Sequence, residues 1–275
     1  MILRTDIFPK CPRDTIITCL LLLLIPTGYY FQLFVVIPAY HEIWSPAYYF
    51  HFILMNFLLF NVCTNLIGTV FVDTSIKGLL VTSKSKPGWR YCTECQSYAP
   101  PRSWHCKTCK ICIRQRDHHC IFTSCCIGLE NQRYYLVFVS YMFISELICA
   151  YYSIYYLKDY LIDDFSTSSI LKFIFPVCSM FFEFNTKQLQ LVFIKLIFTG
   201  MLGNGILLHF HIGLMFRNLL TYERNSKSKC DRGKLYNTKV ALGERWYLVW
   251  IAPWIVSNTP SEAIYCDHFE TTKDT

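Results

Sequence analysis

The feature that most constrains this 275-residue chain is a run of about 45 residues, Tyr91 to Tyr135, reading YCTECQSYAPPRSWHCKTCKICIRQRDHHCIFTSCCIGLENQRYY. Eight of the fifteen cysteines fall in it, with three histidines, His105, His118 and His119. Cys92-x2-Cys95 and Cys106-x2-Cys109 are knuckles that hold two thiolates on one tight turn, and Cys109-x2-Cys112 repeats the spacing. His105 precedes Cys106, and after a short basic spacer come Asp117-His118-His119-Cys120 and Cys126. Zinc takes four Cys or His ligands tetrahedrally, and such knuckles are the usual source of two of them. Two zinc ions need about eight ligands, and the segment offers eleven candidates, so a surplus is left for chemistry. A purely structural zinc ribbon is the plainer alternative. A disulfide framework is disfavoured, because it has no use for histidines at ligand spacing and because the flanking charges place the segment in a reducing compartment.

Apolar runs flank the cluster on both sides. The chain is 53% apolar and 17% aromatic with only 16% charged residues and a positive mean hydropathy, which points to a membrane protein rather than a soluble domain. Four runs approach the roughly 20 residues needed to span a bilayer: 15–37, 47–72, 134–157 and 189–220. The first is too long for a signal-peptide core and is followed by no small-x-small cleavage site, so it reads as a retained helix, kinked at Pro26. The connection 73–133 carries ten Lys and Arg, among them Lys77, Lys84, Lys86 and Arg90, whereas the turn after the first run carries none. The positive-inside rule then puts 1–14, 73–133 and the basic tail 221–275 in the cytosol and 158–188 in the lumen. Within that lumenal loop, 170–184 is apolar but short and broken by Pro176, and reads as an interfacial or re-entrant piece. The predicted fold is an all-α integral membrane protein of four transmembrane helices, with the cysteine-rich domain between the second and third.

Several residues stand out against this frame. Glu146 lies inside the third span, where a carboxylate must be paired or hydrogen-bonded to a neighbouring helix. Gly200, Gly203 and Gly205 in the fourth permit close helix approach, and His209 and His211 sit near its cytosolic end. The tail stretch ALGERWYLVWIAPW suits a helix lying in the membrane interface or packing against the cytosolic ends of the bundle, with simple burial against the zinc domain as the plainer alternative. No internal repeat is evident, and the last dozen residues read as a polar, disordered end.

The segment 92–131 resembles the cysteine-rich domain of the DHHC family of protein S-acyltransferases (palmitoyltransferases). The shared pattern is Cys92/Cys95, Pro100-Pro101-Arg102, His105-Cys106-x2-Cys109-x2-Cys112, Asp117-His118-His119-Cys120, Cys126 and Asn131, and the order of membrane segments extends it over nearly the whole chain. The resemblance implies Cys120 as nucleophile, His118 as its base and Asp117 as the group that orients the base. It implies one zinc on Cys92, Cys95, His105 and Cys112 and a second on Cys106, Cys109, His119 and Cys126, leaving Cys125 unassigned. It further implies ping-pong transfer of a fatty acyl group from acyl-CoA to cysteines of cytosolic or membrane-associated proteins, with membrane lipids as surroundings and the ER or Golgi as location. A catalytically silent zinc scaffold is the rival reading. A nucleic-acid-binding module is excluded because the knuckles leave no room for a recognition helix.

The chain departs from the family pattern in places. Ile121-Phe122 stands where Pro-Trp usually follows the nucleophile, and Ser124-Cys125 precedes Cys126. Cys125 itself is open to three readings: a misregistered ligand, a side acylation site or an inert thiol. Lys86-Pro87-Gly88 replaces Asp-Pro-Gly, and Leu220-Thr221-Tyr222-Glu223, preceded by Asn218, replaces the Thr-Thr-x-Glu element. The stretch from Asn237 to Gly243 matches a C-terminal element loosely, and none of these outer elements carries chemistry legible in the sequence.

Overall fold

A computed structural model describes residues 2–77, 88–163, 167–181, 185–225 and 230–260. Lys84, Lys86, Pro87, Lys227, Lys229 and the polar C-terminal dozen lie outside the described residues.

Helix α1 runs Pro12–Phe31, continues through Pro26 into a π-turn at Gln32–Val36 and ends in a 3-10 turn at Ile37–Ala39. Helices α2 (Pro46–Phe71), α3 (Gln132–Asp163) and α6 (Thr186–Phe216) are the other long ones. Proline opens both α1 and α2, at the position where its missing N–H costs no helical bond, and the Ser45 hydroxyl accepts the Tyr48 N–H to cap α2. Four stretches, Pro12–Ala39, Pro46–Phe71, Gln132–Tyr155 and Thr186–Phe216, are long and apolar enough to cross a membrane. The apolar segment between α3 and α6 forms two short helices, α4 (Thr167–Ile174) and α5 (Pro176–Met180), of 8 and 5 residues. Neither reaches spanning length.

The chain divides into two compact units. One comprises Leu22–Val62 and Val139–Leu208. Its packing includes Phe31, Val36 and Ile194, with the Phe31 and Phe193 rings stacked at 5.4 Å. Glu146 receives the Asn204 side-chain amide on both carboxylate oxygens, at 2.9 and 2.8 Å. Gly200 makes room for it, since a Cβ there would stand 2.6 Å from Glu146 Oε1. The carboxylate in α3 is therefore satisfied by a neighbouring helix, as burial in hydrocarbon demands. Gly205 similarly admits the Phe143 ring, whereas Gly203 faces nothing within 4 Å.

The other unit gathers the N-terminal residues to Leu21, Cys63–Phe138 and the chain from His209 onward. Here the cysteine-rich segment forms six three-residue strands in three antiparallel hairpins: β1 (Arg90–Cys92) with β2 (Ser97–Ala99), β3 (Trp104–Cys106) with β4 (Ile111–Ile113), and β5 (His118–Cys120) with β6 (Cys125–Ile127). The segment that leaves α2 bonds to the chain's start on one side, with Arg4 N–H on Phe71 O and Asp73 N–H on Ile2 O. On the other side Ile76 N–H reaches Cys112 O and Arg114 N–H reaches Thr74 O.

Helix α7 (Lys234–Leu242) is docked by Asn237, whose amide donates to Phe216 O at 2.8 Å and to Asp231 Oδ1 at 2.7 Å. The amphipathic tail stretch is not a helix beyond this point. The chain leaves α7 at Gly243, whose φ of +86° is a left-handed conformation open to glycine, and residues 244–251 form successive turns. Tertiary bonds hold those turns: Arg133 donates to the carbonyls of Pro253, Ile255 and Ser257, and Val249 and Ala252 are buried.

Asn131 ties β6 to α2 and α3. It is fully buried, donates to Thr69 O (2.9 Å) and Cys126 O (3.0 Å) and accepts from Gly128 N–H (2.9 Å). An orphaned buried polar group costs about 1–3 kcal/mol, so Asn131→Ala is expected to destabilise this unit by at least about 2 kcal/mol. Thermal unfolding and limited proteolysis in detergent check it.

Candidate active site and metal centres

The three hairpins are one unit repeated every 14 residues, which corrects the expectation of no internal repeat. Each starts 14 residues after the last and keeps the same strand lengths and register, pairing Tyr91 with Tyr98, His105 with Cys112 and His119 with Cys126. Gln96, Lys110 and Ser124 occupy the same turn position with positive φ. Corresponding positions then carry different chemistry. The turn positions are Cys92 and Cys95, then Cys106 and Cys109, then Cys120 and Thr123. The cross-strand positions are Tyr/Tyr, then His/Cys, then His/Cys.

Metal-binding groups form between successive repeats. The turn thiols Cys92 and Cys95 meet the cross-strand pair His105 and Cys112, and Cys106 and Cys109 meet His119 and Cys126; within each group the ligand atoms lie within 4.8 Å of one another. His105 Nδ1 is 3.7 Å from Cys92 Sγ and 3.3 Å from Cys95 Sγ. His119 Nδ1 is 3.6, 3.3 and 3.7 Å from Cys106, Cys109 and Cys126, and Cys109 Sγ is 3.7 Å from Cys126 Sγ. A zinc tetrahedron with bonds of about 2.3 Å to sulfur and 2.0 Å to nitrogen has edges of roughly 3.5–3.8 Å. The eight residues therefore fit two zinc-sized sites. The first hairpin has no ligand pair to offer a preceding site, and Tyr91 and Tyr98 pack edge-to-face there instead.

The third turn has lost its second sulfur to Thr123, so Cys120 stands in a ligand's place without a ligand set. Asp117 and His118 lead into the same hairpin. His118 Nδ1 donates to Asp117 Oδ2 at 2.8 Å, which leaves the other ring nitrogen free of that bond on the hairpin that carries Cys120. Burial opposes charging His118, but the bonds to Asp117 and Cys120 and their charges outweigh it and lift the imidazole to about 9. Burial likewise opposes a Cys120 thiolate, but the His118 bond and charge hold the thiol below its ordinary value. Asp117 is kept below the ordinary carboxylate range despite burial, by His118, His211 and the Thr221 N–H. Both shifts run in the direction that favours a thiolate beside an imidazolium, next to a buried carboxylate.

Three partners of this centre were not assigned from the sequence. Thr221 donates to Asp117 Oδ1 from its N–H (2.6 Å) and its hydroxyl (2.8 Å). His211 brings Nδ1 to 3.5 Å from Asp117 Oδ2 and packs its ring 5.2 Å from that of His118. Tyr135 bonds His211 Nε2 at 3.2 Å and lies edge-on to His118. The altered Thr-Thr-x-Glu element thus keeps its second threonine on the carboxylate, and Leu220 contributes its backbone, donating its N–H to Glu223 Oε2 and accepting the Glu223 N–H on its carbonyl.

The Pro-x-Arg element ends in Arg102, 7% exposed, which binds Glu223 twice, Nε to Oε1 at 3.0 Å and Nη2 to Oε2 at 2.7 Å, and also bonds the Asn218 side chain and carbonyl. Ile121 is half-buried and Phe122 is 47% exposed. Cys125 belongs to neither ligand group. Its sulfur is buried against Thr69 O and the Thr123 hydroxyl, and burial pushes the thiol up to about 12. Its environment suits the inert-thiol reading.

Removing one partner of a buried ion pair costs about 3–5 kcal/mol. Arg102→Ala is therefore expected to lower stability by about 3 kcal/mol or more and to loosen Thr221 from Asp117, which unfolding of the detergent-solubilised variant measures directly.

Comparison with known proteins agrees with this geometry. A family model described as DHHC palmitoyltransferase matches residues 85–228. The chain is 32% identical over 228 residues to the probable palmitoyltransferase ZDHHC24 of Mus musculus, covering 77% of this chain and 76% of that one. It is 32% identical over 222 residues to the Homo sapiens protein of the same name, covering 76% of each. It is also 33% identical to protein S-acyltransferase 8 of Arabidopsis thaliana over 54% of this chain and 34% of the other. The matched region includes every member of both ligand groups and the Asp117-His118-Cys120 centre, and the chain belongs to the DHHC palmitoyltransferase family.

Proposed function

We propose that this protein S-acyltransferase works through a thioester on Cys120, formed from a long-chain acyl-CoA and passed to cysteine thiols of proteins at the membrane surface. The observation that carries the reading is the 2.8 Å bond from His118 Nδ1 to the buried Asp117 carboxylate, on the same hairpin that carries the Cys120 thiol. In the first half-reaction the Cys120 sulfur attacks the acyl carbonyl carbon and the carbon–sulfur bond to CoA breaks. The departing CoA thiolate takes the proton held on His118. In the second half-reaction His118, now neutral, accepts the proton of the incoming protein thiol, whose sulfur displaces Cys120 and carries the acyl group away. A thioester suits this relay because it stores the acyl group while remaining reactive. Asp117 fixes the tautomer of His118 and favours its charged form, the role of the carboxylate in an Asp-His-nucleophile arrangement.

Cys92, Cys95, His105 and Cys112 would hold one zinc, and Cys106, Cys109, His119 and Cys126 a second. When bound, zinc supplies folding free energy to hairpins too short to stand alone. The distribution of Lys and Arg supports cytosolic placement of the N-terminus, the cysteine-rich domain and the tail, with 158–188 lumenal. The apolar helices offer surroundings for the acyl chain, where each buried methylene contributes about 0.8 kcal/mol and so selects length. The ER or Golgi is the location we infer from the family resemblance.

Labelling with radioactive palmitoyl-CoA tests the nucleophile. Cys120→Ser is expected to abolish the hydroxylamine-sensitive label while zinc stays near two per chain, about the number the eight ligands serve. Persistent label in that variant excludes Cys120. Cys106→Ala is expected instead to lose zinc and protease resistance.

The lowered thiol predicts a pH profile of its own. A depressed thiol pKa keeps Cys120 as thiolate below the roughly 8.5 of a free cysteine, and that fraction falls only as pH drops through the depressed value. Alkylation of Cys120 by iodoacetamide is therefore expected to reach its plateau rate at a lower pH than a free cysteine does. Asp117→Asn should make the same rate climb with pH toward the free-thiol range. Identical profiles for the two proteins would refute the ion-pair reading.

A further inference from the structure

We propose that Asp14, in the first turn of α1, is a positioning residue for His119: it fixes the ring that faces the second sulfur group, and through it the hairpin that carries Cys120. This rests on the reading of His119 as a metal ligand. Asp14 is fully buried, although it lies next to the exposed Arg13 at the start of a helix. Its Oδ2 accepts a hydrogen bond from His119 Nε2 at 2.9 Å, across 105 residues of sequence. That bond puts the ring proton on Nε2 and leaves the Nδ1 lone pair aimed at Cys106, Cys109 and Cys126, the three sulfurs 3.3–3.7 Å away. Metal-bound histidines commonly donate their other N–H to a carboxylate, which sets the tautomer, orients the ring and raises its basicity. Asp14 stands in that relation to His119, and no other side chain among the described residues is recorded on Nε2.

A second contact seats the same helix face on the same hairpin. Thr18 lies one turn after Asp14, where i and i+4 share a face. Its hydroxyl is 2.6 Å from Ser124 Oγ and donates to the carbonyls of Ile121 (3.4 Å) and Phe122 (3.2 Å). Ser124 in turn donates to Asp14 O. The turn that follows Cys120 is therefore held from α1 at both ends, by Asp14 on the strand before it and Thr18 on the turn itself. Ile121, Phe122 and Ser124 are among the positions where this chain departs from its family's usual residues, and the Thr18 contacts fall on these three.

The test is zinc release from the full-length protein in detergent, followed with a colorimetric chelator, for wild type, Asp14→Asn, Asp14→Ala and His119→Ala. Loss of an outer carboxylate partner typically weakens metal binding about 10–100-fold. One of the two zinc equivalents is expected to leave roughly tenfold or more faster in Asp14→Ala, with the other unchanged and the helical circular dichroism intact. Asp14→Asn, which keeps an acceptor but not the charge, should fall between. It also serves as the decisive variant if the alanine protein does not fold. A merely structural role for Asp14 would lower the melting temperature without singling out one zinc. Wild-type release from both sites in Asp14→Asn and Asp14→Ala, while His119→Ala loses one zinc, overturns the proposal and leaves the ligand assignment standing. Retention of both zincs by His119→Ala overturns the assignment and the proposal together.

Discussion

The contact on which the rest depends is the meeting of a cross-strand His/Cys pair in one hairpin with the turn thiols of the hairpin before it. Strands of three residues give too few ladder bonds and too little apolar area to stand alone. The small clusters beneath them are built partly from the ligands, with Cys112 beside Ile76 and Ala99 and Cys106 and Cys126 beside Ile113. Thiolate and imidazole convergence at 3.3–3.7 Å therefore takes the place of a hydrophobic core. Because the middle hairpin contributes a ligand pair to each of the two groups, these groups link the three hairpins in series.

A series of this kind has two ends, and the chain uses them differently. At the first, aromatic packing of Tyr91 on Tyr98 replaces ligands. At the last, Thr123 replaces a cysteine and Cys120 keeps its thiol. Cys120, the nucleophile we propose, thus sits on backbone shaped like that of a metal ligand, at the edge of the array. Asp117 and His118 supply at that edge what a free thiol lacks, a neighbouring positive charge that favours the thiolate.

The segment after α6 is bound to the array at two points. Thr221 holds the Asp117 carboxylate, and Glu223 with Asn218 holds Arg102. The first bond helps to hold Asp117 ionised beside His118 and the second is a buried ion pair, so an element with no chemistry legible in the sequence has a defined electrostatic and structural task. On the other side of the hairpin, Asp14 and Thr18 bring the start of α1 to the same few residues.

Sequence alone determined the features set by local spacing. Apolar runs near the spanning length announced four long helices, and C-x2-C turns with nearby histidines announced a zinc-binding segment, whose two ligand groups came from the family resemblance. Both follow from short-range geometry, since a knuckle closes over four residues and a spanning helix is one uninterrupted run. The 14-residue repeat is present in Cys92, Cys106 and Cys120, in His105 and His119 and in Cys112 and Cys126, but Tyr91 and Tyr98 in the first copy and Thr123 in the third break its pattern, and the shared strand register makes it plain. The tail read as amphipathic, yet Gly243 and the carbonyl bonds to Arg133 fold it into turns. Only the tertiary structure decided which residues surround the reactive thiol. Asp14, Tyr135, His211 and Thr221 reach the hairpin or one another across separations of 76 to 105 residues, and a hydrogen bond between such distant residues leaves no periodicity in the sequence to read.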